Sequence, residues 1–138
     1  MSRKSARKEA MFSLYQMDVN NAFDYEIQKN SLKEKITDIH ELHYVKGIIE
    51  NFINEKETID NHIVNNLNKW HINRLPKVDL AILRLAITEF YYADDIPIEV
   101  SVNEAVEMAK EYSDKDSAKF INGVLGGVIK EGKLINEK

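Results

Sequence analysis

The 138-residue chain is 43% apolar and 30% charged, with five glycines, two prolines, no cysteine and a formal net charge of −4. That composition excludes a disulfide framework, a thiolate metal site and a cysteine nucleophile. It leaves few residues for tight turns, so long helices in one domain over residues 1–138 are expected. No apolar run approaches the ~20 residues that cross a bilayer, and the charged start lacks the core of a secretory signal, so a cytoplasmic protein without a membrane partner is expected.

Ala6, Ala10, Leu14 and Met17 recur at helical spacing and predict a helix over residues 5–18, broken by Asn20-Asn21. Between residues 22 and 38 the periodicity is weaker; Ser31-Leu-Lys-Glu34 has the form of a capping box and predicts a short helix or loop. Leu42, Val45, Ile48, Ile49, Phe52 and Ile53 mark a third helix face, and Ile59, Ile63, Leu67 and Trp70 a fourth, the two forming an antiparallel pair. Leu75-Pro76 stops that run. The next helix, from about residue 78 to 92, is apolar almost all round and reads as a buried central element. Asp94-Asp95-Ile96-Pro97 is a turn, and Ser101-Val-Asn-Glu104 predicts the capping box of a helix with Val102, Ala105, Val106, Ala109 and Tyr112 inside. A polar joint over residues 113–117 leads to a last helix carrying Phe120, Ile121, Val124, Leu125 and Val128, with residues 132–138 frayed. The sum is an all-α bundle of about six or seven helices.

Charge is uneven along this frame. Residues 1–17 hold four basic side chains and one acid, while the rest holds 15 basic and 22 acidic. Cations in a first helical turn face the positive end of the macrodipole, at a cost of about 0.3–1 kcal/mol each. A basic pole on an acidic body suits a polyanion approached in one orientation. Arg3 and Arg7, with Lys4 and Lys8, lie four apart and form two parallel rows on adjacent helix faces.

Chemistry elsewhere is sparse. His40 and His43 are three apart with no third ligand, the wrong spacing for a zinc protease. Gly127-Val-Ile-Lys-Glu-Gly-Lys133 lacks the hydroxyl residue of a phosphate loop, because Leu134 follows. Glu104, Glu107 and Glu111 read as a solvated acidic face with Glu104 capping its helix. No nucleophile, metal or cofactor site is expected, and no catalysis. In Lys119-Phe-Ile-Asn-Gly-Val-Leu125, by contrast, an aromatic stands between a lysine and an asparagine. Phe120 fits both a core position and a base-stacking one, with Lys119 and Asn122 available to phosphate and base edge.

Four strings in order carry a resemblance. They are Arg-x-x-Ala-Arg through Leu-Tyr-Gln-x-Asp over residues 3–18, Val-Asp-x-Ala-Ile-Leu-Arg-Leu-Ala-x-x-Glu over 78–89, Ile-Pro and Val-Ser-Val-Asn-Glu-Ala-Val-Glu-Met-Ala-Lys over 96–110, and Lys-Phe-Ile-Asn-Gly-Val-Leu over 119–125. Together they resemble the NusB family of bacterial antitermination factors.

The resemblance implies two packed helical subbundles and no catalysis. It also implies binding to boxA RNA of ribosomal operons with a small-subunit ribosomal protein, in an RNA polymerase antitermination complex. Matched residue by residue, Arg3, Lys4, Arg7 and Lys8 are then phosphate contacts, and Phe120 stacks a base beside Lys119, Asn122 and Asp116. Tyr15 shares that surface, and Asp79 lies near the protein partner. Arg84 is expected to pair internally with Glu89 or Glu104. Two alternatives stand beside this reading. One is a protein-only adaptor or homodimer that buries exposed subbundle faces. The other is a stand-alone relative of the RNA-binding region of ribosomal-RNA methyltransferases.

Overall fold

The structure is a computed structural model and describes residues 2–68 and 71–131. Trp70 and the segment 132–138, with the last residues of the phosphate-loop-like string, lie outside the described residues.

Among the described residues seven α-helices follow one another: α1 Arg3–Asn20, α2 Tyr25–Lys35, α3 Ile39–Asn54, α4 Lys56–Val64, α5 Lys77–Tyr92, α6 Ile98–Tyr112 and α7 Lys115–Lys130. A 3-10 turn, Ile72–Arg74, precedes α5. Four helix starts are capped by short polar side chains. Ser2 Oγ accepts from the Ser5 N–H (3.1 Å), Asp24 from Glu26 (3.0 Å), Asp38 from His40 and Glu41 (2.9 and 3.3 Å), and Asp114 from Ser117 (2.7 Å). Those two backbone N–H groups hold the Asp38 carboxyl below its usual pKa. Pro76 and Pro97 precede α5 and α6, where a missing N–H costs nothing. Asn21 ends α1 in the left-handed region (φ 51°), a conformation asparagine tolerates.

Both predicted capping boxes are corrected. Asp24 starts α2, so Ser31 falls inside it. Helix α6 starts three residues before Ser101, whose hydroxyl turns inward and donates to Glu89 Oε1 at 2.7 Å. Glu104 is therefore no cap; its carboxylate lies 4.0 Å from the Arg7 guanidinium.

Every residue of α5 from 79 to 90 is buried. This helix is the shared wall of the molecule: α1, α3 and α4 pack on it, as do α6 and α7, which also pack on each other. Helix α2 leans on α3, and α4 touches α3, α5 and α7. Two polar knots tie α5 to its neighbours. Glu89 accepts from Arg7 of α1, Tyr44 of α3 and Ser101 of α6. Arg84 departs from its expected partners. Its guanidinium donates at two points, both 2.9 Å, to Asp60 of α4, stands 3.5 Å from Asp18 of α1, and lies over the rings of Phe52 and Phe23. At the far end His62 of α4 is bonded through its two ring nitrogens to Glu131 and to Tyr91 of α5.

Candidate nucleic-acid interface

Helix α1 has no acidic residue in its first turn, so its positive end is uncompensated from within the helix. The two cationic rows then part company. Arg3 and Arg7 turn inward. Arg3 donates to Glu41 at 2.8 Å and lies 4.2 Å from the centroid of the Tyr44 ring. Arg7, 4% exposed, is bound by Glu89. Burial works against its charge, yet the Glu89 carboxylate outweighs burial and holds the guanidinium pKa above its ordinary value. Arg7 was expected among the phosphate contacts, but in this position its donors serve the core.

Lys4 and Lys8 form the outward row, Lys4 exposed and Lys8 half-buried. One turn further along the same face come Phe12 and then Tyr15, 38% and 37% exposed. Cations thus lead into aromatics along a single helix face. Phe12 meets Tyr112 edge to face at 5.2 Å between ring centroids. Tyr112 is the last residue of α6, and α7 begins three residues later. That ring pair ties the face of α1 to the end of α6.

On α7, Asp116 and Lys119 are exposed, Phe120 is half-buried against the core, and Asn122 is exposed. Asp116 and Phe120 are four apart and Lys119 and Asn122 three apart, so each pair shares a face. Phe120 is thus part of the core's margin and keeps part of its ring in solvent. Between the 3-10 turn, α5 and the start of α7, Arg74, Pro76, Asp79, Asp116, Ser117 and Phe120 line a cavity of about 270 Å³.

Asp79 was expected near a protein partner; the structure buries it to 2% exposure in the wall of this cavity. Its Oδ2 accepts from Ser117 Oγ at 2.8 Å, while its Oδ1 has no hydrogen-bond partner. The candidate residues therefore fall on two helices, Lys4, Lys8 and Tyr15 on α1 and Lys119, Asn122, Asp116 and the half-buried Phe120 on α7, while Arg3 and Arg7 lie on the inner side of α1. Phe12 was missed as a surface aromatic. The signal for Phe12 was its position four residues after Lys8, on the row opposite Ala6, Ala10 and Leu14.

Among the described residues no helix is long and apolar enough to cross a membrane, and no group of three or more His, Cys, Asp or Glu is placed to hold a metal ion.

Comparison with known proteins gives a consistent result. A family profile described as the NusB family matches residues 4–130. A transcription antitermination protein NusB from Clostridium novyi is 42% identical over 132 residues, covering 94% of this chain and 99% of that protein. Among solved structures, NusB of T. maritima superposes with a TM-score of 0.87 at 35% identity, covering 95% of this chain and 92% of that one. A structure of antitermination factors NusB and NusE in complex with double-stranded RNA matches at 0.84 and 30%, covering 94% and 96%. With nearly the whole length matched in sequence and in fold, this chain belongs to the NusB family.

Proposed function

We propose that this protein is a transcription antitermination factor that binds boxA-type single-stranded RNA of ribosomal operons together with a small-subunit ribosomal protein, in an RNA polymerase antitermination complex. Its role is that of a cytoplasmic, non-catalytic scaffold formed by one domain over residues 1–138. The observation that carries this reading is the outward row of Lys4, Lys8, Phe12 and Tyr15 on α1, with Phe12 against Tyr112 at the end of α6 and Lys119 exposed on α7. Lysines spaced along a face hold phosphates, and aromatics with a free ring face stack unpaired bases. The solved relative with NusE and RNA supports a partner protein and RNA acting together.

Few exposed cations give modest RNA affinity at cellular salt. The acidic remainder of the chain attracts a basic protein that adds contacts of its own, and each partner then tightens the other's binding by the same factor. Fluorescence-anisotropy titration of boxA-type RNA and a scrambled control, with and without the ribosomal protein, tests this. Selective binding that tightens with the protein is the expected result; equal and weak binding to both RNAs overturns it.

The apolar stripe on α1 runs on from Phe12 and Tyr15 to Val19, 51% exposed, and favours a second reading as a protein-only adaptor or homodimer. A concentration series in light scattering without RNA tests that alternative.

A further inference from the structure

The two inward arginines of α1 are held with very different firmness. Arg7 and Glu89 are sealed in the core, with side chains 5% and 1% exposed, and a charge buried that deeply does not leave its partner. Arg3 and Glu41 lie nearer the surface, with side chains 33% and 13% exposed, and meet through a hydrogen bond from Arg3 Nε to Glu41 Oε2 at 2.8 Å. An ion pair open to solvent shifts an equilibrium by no more than about fivefold, because water and salt compete for both ends. The Tyr44 ring, 4.2 Å from the Arg3 guanidinium, supports the same inward position. Arg7 is therefore a fixture of the fold, whereas Arg3 is exchangeable.

Arg3 is the first residue of α1 and stands next to Lys4, which begins the outward row. Its long side chain also lines a groove of about 380 Å³ with His40, His43 and Tyr92, all exposed, so it can turn without disturbing the core. Helix α1 has no acid in its own first turn, and α3 supplies one across the helix pair in Glu41. That carboxylate stands in for an external anion at the positive end of the helix. We propose that Glu41 is an intramolecular competitor for RNA phosphate, holding Arg3 against Tyr44 and so withholding one cation from the outward row of α1. The proposal rests on the RNA-binding reading above. With Glu41 neutral, Arg3 is released as a guanidinium whose fork matches phosphate better than the neighbouring lysines do. The contact tunes affinity without abolishing binding, since the pair it must lose is worth only a few-fold.

The test is a double-mutant cycle of Glu41→Gln and Arg3→Gln, read by fluorescence anisotropy with labelled boxA-type RNA at several salt concentrations. Both side chains lie outside the buried core, so the fold carries the substitutions. Glu41→Gln is expected to lower Kd by about threefold to fivefold. It is also expected to steepen the slope of log K against log salt by about 0.7, the mark of one more phosphate contact on single-stranded RNA. In the Arg3→Gln background the same substitution is expected to change Kd by less than about 1.5-fold and to leave the slope where it was. Equal tightening in both backgrounds overturns the proposal, because Glu41 then repels RNA directly instead of holding Arg3. An unchanged Kd in Glu41→Gln overturns it too. So does a slope reduced by about 0.7 in Arg3→Gln alone, since Arg3 then already reaches phosphate beside Glu41. Each of these results leaves the RNA-binding reading standing. Failure of the wild-type protein and of every variant to bind the RNA overturns both.

Discussion

Arg7 and Glu89 stand 82 residues apart in sequence and meet as a two-point ion pair, Nε to Oε2 at 2.7 Å and Nη2 to Oε1 at 3.2 Å. Their side chains are 5% and 1% exposed. Removing one partner of a buried pair strands the other charge, so Arg7→Ala is expected to lower stability by about 3–5 kcal/mol. Lys4→Ala, on the outward row, is expected to stay within about 0.5 kcal/mol. Urea unfolding of the two variants checks the contrast.

The Tyr44 hydroxyl donates to the same carboxylate. Burial first, and then the Glu89 charge, push its pKa well above the ordinary tyrosine value. A phenol whose folded pKa is raised contributes its full stability below the unfolded pKa near 10 and loses it as pH rises beyond that value. Tyr44→Phe is expected to cost about 1.5–3 kcal/mol at neutral pH. The difference from wild type should shrink progressively above about pH 10, as read by denaturant midpoints across a pH series.

Two glycines inside helices have opposite surroundings. A Cβ at Gly47, in α3, meets nothing within 4 Å, so Gly47→Ala is expected to raise stability by about 0.5–1 kcal/mol. At Gly127, in α7, the same Cβ overlaps Asn66 Oδ1. Asn66 is held by its amide to His62 O and Glu131 Oε1, both at 2.8 Å, and has to release them to move away. Gly127→Ala is therefore expected to gain nothing and to lose up to about 2 kcal/mol, with thermal unfolding distinguishing the pair.

Phosphate and base contacts separate in salt. Lys8→Ala is expected to reduce the slope of log K against log salt by about 0.7 for single-stranded RNA. Phe120→Ala is expected to cost about 1–3 kcal/mol of RNA binding with an unchanged slope. Titrations at several salt concentrations report both, and equal slope changes in the two variants would remove the stacking role.

The helices were legible because apolar periodicity survives tertiary packing, and α5 announced its burial by being apolar on every side. Helix starts were less so. Ser-x-x-Glu at residues 101–104 has the letters of a capping box, but Pro97 had already fixed the start of α6, and tertiary contact with Glu89 claimed the serine. The fate of the basic cluster was only half visible. Arg3 and Arg7 continue the 4-3-4-3 spacing of Ala10, Leu14 and Met17 and thus sit on the inner face, a rotation that the sequence contained. What it did not contain is the carboxylate that receives each arginine. Asp60 reaches Arg84 from a helix 24 residues away, and no local pattern distinguishes it from Glu89. The unmatched oxygen of Asp79 is likewise a property of three segments brought together, the 3-10 turn, α5 and α7.

An apolar helix buried on all sides can be rotated or slid by a residue with little change in what it touches, since one aliphatic surface resembles another. Helix α5 carries three charged exceptions at different heights, Asp79, Arg84 and Glu89, each engaged by a different set of neighbours. Displacing the helix by a single residue would turn all three by about 100° and leave each charge facing hydrocarbon. The charged residues of α5 therefore act as the wards of a key, giving one alignment to a rod that is otherwise free to turn.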